Sequence, residues 1–136
     1  MDALVRKLFT QVLRVRKNAH APISHFKVGA AVLTKSSNVF AACNVESPTL
    51  TLTTHAEMAA IDRAVAAGER HLAAILVVTG CGKPVYPCAL CLQKIADFSR
   101  STVLIYAATV SGIVRHKTLQ ELYPEAFTAR ALRNEK

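Results

Sequence analysis

Two short stretches of the sequence contain side chains suited to binding a metal ion and moving a proton. His55 and Glu57 lie two residues apart in TTHAEMAAID, and Cys88 and Cys91 lie three residues apart in YPCALC. One imidazole and two thiolates suit a tetrahedral zinc ion, and three protein ligands leave its fourth position open for chemistry. Glu57 supplies the carboxylate that a hydrolytic site needs to take up and deliver protons. The sequence therefore predicts a catalytic zinc centre, with one zinc ion per chain.

The surrounding pattern predicts that both stretches begin helices. The first helix ends at Gly68, and the second covers CALCLQKIADF. A buried strand, AAILVVTG, lies between them. Because helix starts on either side of one strand can meet at the same edge of a sheet, we expect His55 to lie beside the two sulfur atoms. Helix N-termini also favour the thiolate form of cysteine.

The remaining elements predict an α/β fold in one domain, residues 1–136. Residues 2–18 form an amphipathic helix, KVGAAVL and NVFAACNV form an antiparallel hairpin around TKSS, and STVLIYAA is another buried strand. A last short strand and one or two short helices follow in GIVRHKTLQELYPEAF. These elements assemble into a mixed sheet of about five strands flanked by helices.

Simpler interpretations exist for these residues. Thr54 and Glu57 fit a capping box, in which the two side chains satisfy amide groups at a helix start. A closed structural zinc site is a second alternative, with Cys81 or Cys43 as a fourth ligand. A closed site needs no carboxylate beside it, so Glu57 favours the open site. We interpret Cys43 and Cys81 as buried small apolar residues.

Composition and charge limit the class of protein. Of the 136 residues, 51% are hydrophobic, and no apolar run approaches the roughly 20 residues that span a bilayer. The first residues, MDALVRKLF, lack the apolar segment of a signal peptide, so we expect a cytoplasmic protein with reduced cysteines. The net charge is +8, but few aromatic residues accompany the basic clusters to stack on nucleic acid bases. We interpret those clusters as a solvated helix face and tail, so a nucleic-acid partner is not expected.

The motifs resemble those of the zinc-dependent nucleobase deaminases. HAE at 55–57 followed by PCxxC at 87–91 matches their signature of a histidine or cysteine ligand, a non-ligating glutamate and paired cysteines. Within that superfamily the chain resembles the small cytidine deaminases over nearly its whole length, through SHFKVGAAVL, CNVE, PCALCLQ and ELYPEAF. The resemblance implies a three-layer α/β/α fold and a hydrolase of pyrimidine salvage. Its reaction converts a cytosine-type nucleoside, such as cytidine, deoxycytidine or a modified analogue, to the uracil-type nucleoside and ammonia.

The resemblance also implies roles for residues outside the zinc centre. Asn44 and Glu46 match the pair that holds the ribose hydroxyls, and Phe26 matches the aromatic residue that packs against the base. Phe127 matches the phenylalanine that one subunit contributes to the site of its neighbour. The small cytidine deaminases are homotetramers, so the resemblance implies shared active sites, with close packing of AEMAAIDRAVAAG between subunits. These alanines would equally suit packing on the sheet of their own chain.

Two departures from the family pattern affect the expected chemistry. Family members of this length usually have cysteine at the position of His55, with arginines balancing the negative centre where this chain has Met58 and Leu92. A centre of one imidazole and two thiolates is neutral, so the three changes are mutually consistent. Ser47, Pro48 and Leu50 replace residues that shape the base pocket and a subunit contact. Alternative functions are therefore deamination of a nucleoside antibiotic or of a base in RNA or DNA, or a non-catalytic zinc-binding module.

Overall fold

The structure, a computed structural model, describes residues 1–134. In chain order the elements are α1 (Ala3–Arg16), β1 (Val28–Thr34), β2 (Val39–Cys43), α2 (Ala56–Ala66), β3 (Leu72–Thr79), α3 (Ala89–Asp97), β4 (Leu104–Thr109), β5 (Val114–Thr118), α4 (Leu119–Leu122) and α5 (Ala129–Asn134). A short 3₁₀ helix covers Leu50–Leu52. The predicted helices, hairpin and strands are all present, with boundaries shifted by a few residues.

The strands form one five-stranded mixed sheet in the order β2-β1-β3-β4-β5. Strand β1 pairs antiparallel with both β2 and β3, β3 pairs parallel with β4, and β5 pairs antiparallel with β4 at the edge. The α3 crossover joins the parallel pair β3 and β4, as parallel strands require. The predicted α/β class and strand number are confirmed.

Helices cover both faces of the sheet. Side chains of successive strand residues point to opposite faces, so Ile75 packs with α2 and α3 while Leu76 packs with α1. Helix α1 crosses β1 at Gly29, where a Cβ atom would lie 2.7 Å from Val12 Cγ1. Glycine is therefore required for this close approach. Because helices lie on both faces of the sheet, the predicted three-layer α/β/α arrangement is confirmed.

Helix α2 uses most of its small residues inside its own chain. Ala56, Ala60 and Ala64 are buried against the sheet, whereas Ala59 is half-buried and Ala66 is exposed. The helix ends as predicted before Gly68, whose φ of 94° lies in the left-handed region that favours glycine. Packing on the chain's own sheet thus accounts for the buried alanines, and intersubunit packing along α2 stays a prediction.

The last strand leads directly into a well-capped short helix. The Thr118 hydroxyl accepts a hydrogen bond from the backbone N–H of Glu121, and the Glu121 carboxylate accepts one from the backbone N–H of Thr118. This capping box, at the start of α4, was not predicted from the sequence. Among residues 1–134, no helix combines the length and apolar character needed to cross a membrane.

Candidate active site

The predicted metal ligands lie at the starts of two neighbouring helices. His55 is the N-cap residue of α2 and Cys88 is the N-cap residue of α3, and neither side chain caps its own helix. Both residues have extended backbone dihedrals, so each side chain is free to turn away from its helix toward the other. Cys91 follows one turn into α3 and is fully buried. The two helix starts therefore face each other, as the sequence predicted.

The three donor atoms lie close enough to share one ion. His55 Nδ1 is 3.4 Å from Cys88 Sγ and 3.3 Å from Cys91 Sγ, and all three ligand atoms lie within 4.8 Å of one another. Ligands at tetrahedral zinc distances of about 2.1 to 2.3 Å are separated from each other by roughly 3.5 Å, so this spacing fits zinc. The set of one nitrogen and two sulfur donors fits the same metal.

Glu57 lies beside this cluster on the first turn of α2. Its side chain is only 4% exposed, and burial raises the pKa of its carboxyl, while hydrogen bonding to Cys91 and the charge of His55 oppose that rise. Burial and the neighbouring Glu57 also raise the pKa of the Cys91 thiol. Of the three donor residues, Cys91 is buried, His55 is half-buried and Cys88 is exposed. A bound cation would stabilise the two thiolates, because it compensates their charge.

The capping box considered as the simpler interpretation of Thr54 and Glu57 does not form. The helix begins one residue later than the box requires, with His55 and not Thr54 as the N-cap. The Thr54 backbone instead exchanges hydrogen bonds with Val45, at 2.8 and 2.9 Å, in an isolated bridge. Glu57 is therefore a buried carboxyl beside Cys91 and not a cap.

Cys43 and Cys81 lie outside the cluster. Neither belongs to the group of potential metal ligands found among residues 1–134. The prediction that both cysteines are buried is wrong, because each is half-exposed. Cys43 is the last residue of the outer strand β2, and Cys81 lies in the turn after β3. The structure thus supports the open arrangement of three ligands over a closed site with a fourth cysteine.

A cavity of about 420 Å³ opens beside the cluster. Its lining includes His55, Glu57 and Cys88, together with three residues predicted to contact substrate: Phe26, Asn44 and Glu46. Sequence reasoning missed other lining residues, namely Ser24, Val28, Thr53, Ala56, Val77, Thr79, Val85, Tyr86 and Pro87. Three of these residues, Val85, Tyr86 and Pro87, directly precede Cys88. Their closeness in sequence to a predicted metal ligand could have identified them as cavity residues.

Asn44 is buried between the cavity and the start of β1. Its Nδ2 donates to the carbonyl oxygen of Phe26 at 2.8 Å, and its Oδ1 accepts from the backbone N–H of Val28 at 2.9 Å. The side chain is 7% exposed. Asn44 therefore fixes the backbone on both sides of Lys27 and sets the position of Phe26 at the cavity rim.

Glu46 binds the neighbouring loop. One carboxylate oxygen, Oε1, accepts from the backbone N–H groups of Ile23 and Ser24, each at 3.1 Å. Hydrogen bonding by Ser24 lowers the pKa of the Glu46 carboxyl, so this group carries its charge at neutral pH. The loop it binds contains His25, a non-glycine residue with a φ of 57°. Glu46 thereby helps to hold a strained turn at the cavity rim.

Phe127 is not brought to this cavity within its own chain. Its ring is 53% exposed, and it lines a separate surface depression beside Gln93 and α5. The segment that departs from the family pattern is also peripheral: Ser47, Pro48 and Leu50 are absent from the cavity lining, and Leu50 is 76% exposed. At the two expected arginine positions, Leu92 is buried and Met58 is half-buried.

The sequence profile described as "Cytidine and deoxycytidylate deaminase zinc-binding region" matches residues 3–107. The chain belongs to this deaminase family. The cytidine deaminase of Sporosarcina psychrophila is 34% identical over 128 residues, covering 94% of each chain. That of Halalkalibacterium halodurans is 36% identical over 122 residues, covering 90% of this chain and 92% of the relative.

Solved structures of the deaminase family share the fold. The crystal structure of cytidine deaminase from Burkholderia pseudomallei superposes with a TM-score of 0.86 at 36% identity, covering 93% of this chain and all of the other. That from Mycobacterium tuberculosis gives a TM-score of 0.80 at 32% identity. Membership of a zinc-binding deaminase family and the spacing of the three donor atoms together show a zinc enzyme in which His55, Cys88 and Cys91 are placed to hold one metal ion.

Proposed function

We propose that this protein catalyses the zinc-dependent hydrolytic deamination of cytidine to uridine and ammonia. The observation that carries the proposal is the buried carboxyl of Glu57 beside three converging metal donors, at the inner end of a cavity of nucleoside size. A structural metal site gains nothing from such a carboxyl. A hydrolytic site needs one, because protons must move between water and the substrate.

Glu57 carries out the proton transfers. A zinc ion held by His55, Cys88 and Cys91 would lower the pKa of a water molecule and so supply the nucleophile at neutral pH. Glu57 takes a proton from the attacking water and delivers it to N3 of the cytosine ring as C4 is attacked. It then takes the second proton from the hydroxyl group now on C4 and delivers it to the amino group, which leaves as ammonia as the C4 carbonyl forms. Burial raises the pKa of the Glu57 carboxyl, which makes its carboxylate a stronger proton acceptor.

The cavity rim is suited to a nucleoside. Phe26 lies at the rim and offers an aromatic face to the base. Glu46 binds the loop described above through its carboxylate, whose remaining lone pairs are placed to accept from ribose hydroxyls. Asn44 has further hydrogen-bonding capacity in the second hydrogen of Nδ2 and the second lone pair of Oδ1. In an RNA or DNA strand the 3′ and 5′ oxygens of the sugar are esterified to phosphate, so a rim that accepts from sugar hydroxyls favours a free nucleoside.

The site is completed by a second chain. In a homotetramer, Phe127 of one subunit would close the cavity of another. The exposed ring of Phe127 and the exposed side chains of Leu50 and Leu52, at 76% and 69%, support such an interface, because apolar side chains are costly to leave in water. Zinc binding requires reduced Cys88 and Cys91, which supports the expected cytoplasmic location. The proposed reaction, which yields a uracil-type nucleoside, is the basis for the expected role in pyrimidine salvage.

Ammonia release tests the proposal. The purified protein is assayed with cytidine, deoxycytidine, 5- and N4-substituted analogues, nucleoside antibiotics and a short RNA, with Glu57→Ala as the matched blank. We expect turnover of cytidine and deoxycytidine that vanishes in the blank. Turnover of RNA alone would replace the proposal with nucleic acid editing, and no turnover of any substrate by the zinc-loaded protein would contradict it.

A further inference from the structure

Phe127 combines an exposed ring with a fixed backbone. It lies in the irregular segment between α4 and α5, and the residue is 53% exposed. Yet both of its backbone polar groups bind side chains: its N–H donates to Tyr123 Oη at 3.2 Å, and its carbonyl oxygen accepts from Gln93 Nε2 at 2.9 Å. Exposed loop residues commonly leave these groups to water, so the fixed backbone requires an explanation.

The two side chains also bind each other. Tyr123 Oη donates to Gln93 Oε1 at 2.7 Å, which closes a ring of hydrogen bonds through Phe127. We call Gln93, Tyr123 and the Phe127 backbone the aromatic clamp. Replacing any one side chain would leave at least two groups of the clamp without their partners.

Asp97 sets the orientation of the clamp. Its Oδ1 accepts from Gln93 Nε2 at 3.0 Å, one helical turn further along α3. A carboxylate and a carbonyl oxygen accept hydrogen bonds only, so Nε2 must face both Asp97 and Phe127. Oε1 of Gln93 is thereby directed toward the Tyr123 hydroxyl, and the hydrogen bonds of the clamp are mutually consistent.

The clamp connects Phe127 to the helix that carries two predicted metal ligands. Gln93 lies two residues after Cys91 on α3. An ordered backbone lowers the entropy that an exposed side chain loses when it enters a binding site. Phe127 does not line the cavity of its own chain. Its fixed position therefore suits binding to the surface of another chain.

We propose that Gln93 and Tyr123 are positioning residues that hold Phe127 ready to close the nucleoside cavity of a second copy of this chain. The inference rests on the proposed function with shared sites. It adds two residues that touch neither substrate nor metal. Their effect on nucleoside binding passes through Phe127 alone, and this requirement makes the proposal testable.

The test is a double-mutant cycle of Tyr123→Phe and Phe127→Ala in the zinc-loaded protein. Tyr123→Phe removes only the hydroxyl, so KM for cytidine should rise about fivefold with kcat nearly unchanged. In the Phe127→Ala background the same change should have no further effect on KM. The Kd for uridine, measured by calorimetry, should follow the same pattern. Hydrogen exchange at the Phe127 amide should become faster in Tyr123→Phe.

Tyr106→Phe is the matched control, because Tyr106 lies on the opposite face of the sheet beside α1. It should leave KM, Kd and Phe127 exchange unchanged. An unchanged KM in Tyr123→Phe, or an equal rise in the Phe127→Ala background, would overturn the proposal. An unchanged KM in Phe127→Ala itself would overturn both the clamp and the shared site, while deamination by Glu57 would stand. If the protein deaminated nothing, the proposed reaction would fail, and the uridine Kd cycle would still decide the role of the clamp.

Discussion

At the inner end of the cavity Glu57 and Cys91 are buried within their own chain and only Cys88 is exposed, whereas at the rim the aromatic side chain of Phe26 is exposed. Glu57 is 4% exposed and Cys91 is fully buried. Phe26, at the rim, is 42% exposed, and Phe127 is 53% exposed on another surface of the molecule. One chain therefore contains the three metal donors and Glu57, while the proposed shared site predicts that a second chain supplies Phe127 to the rim.

This difference predicts two classes of mutational effect. Substitutions at the inner end should remove metal or turnover, since no other chain replaces those groups. Substitutions at the rim should weaken substrate binding and depend on which chains are mixed. Stability effects far from both regions should be smaller than either.

The largest effect is expected from removing a metal ligand. Cys88→Ala or Cys91→Ala should reduce zinc from about one ion per chain to a small fraction, with loss of activity, because two donors bind zinc far more weakly than three. Zinc content is measured by atomic emission on dialysed protein. Cys81→Ser is the matched control and should retain full zinc. Full occupancy in either ligand variant would refute the assignment.

A smaller but still severe effect is expected at Glu57. Glu57→Gln keeps the shape of the side chain and removes its ability to accept a proton, so kcat should fall by roughly 10² to 10⁴ with zinc content unchanged. Single-turnover ammonia release measures the rate. Near-normal turnover in a folded, zinc-loaded Glu57→Gln protein would rule out the proton transfers assigned to this residue.

The arrangement of residues at the inner end of the cavity could be predicted from the sequence, because that arrangement follows from secondary structure. Two helix starts on either side of a buried strand bring His55 and Cys88 together, and a helical turn places Cys91 beside them. The rim was less predictable. The bonds of Asn44 to Phe26 and Val28 join residues 18 and 16 positions apart, and no local pattern specifies them. The motif resemblance supplied Asn44 as a substrate contact but not as a support of the loop.

Half-exposed Cys43 and Cys81 show a second limit. Both cysteines were predicted to be buried, because free cysteine usually behaves as a small apolar residue. Cys43 instead lies at the end of an outer strand, and Cys81 lies in a turn. The exposure of Cys43 depends on strand order, which places β2 at the edge of the sheet. Strand order depends on pairing between distant segments and is not contained in the local pattern.

At the rim, Phe127→Ala should raise KM for cytidine about tenfold, the size expected for losing one aromatic contact, with zinc unchanged. Light scattering should give about four chains per particle in both proteins. Mixing Phe127→Ala chains with Glu57→Ala chains should restore low-substrate activity above that of Phe127→Ala alone. In a mixed particle, a site with the intact Glu57 of a Phe127→Ala chain receives the intact Phe127 of a neighbouring Glu57→Ala chain. A fully active monomer would contradict shared sites and leave the zinc chemistry intact.

The smallest effect is expected at a helix start outside both regions, where two identical patterns behave differently. Thr54 and Glu57 have the same T-x-x-E spacing as Thr118 and Glu121, but only the second pair forms a capping box. The Thr54 backbone is already bound to Val45, which moves the start of α2 to His55. Thr118→Ala should therefore lower the free energy of unfolding by about 1 kcal/mol, the usual cost of losing an N-cap. Thr54→Ala, its matched control, removes no cap hydrogen bond and should cost clearly less. Urea denaturation of the zinc-loaded proteins measures the free energy of unfolding of both variants. An equal decrease in the two variants would show that the backbone pairing of Thr54 with Val45 does not determine which T-x-x-E pattern forms a cap.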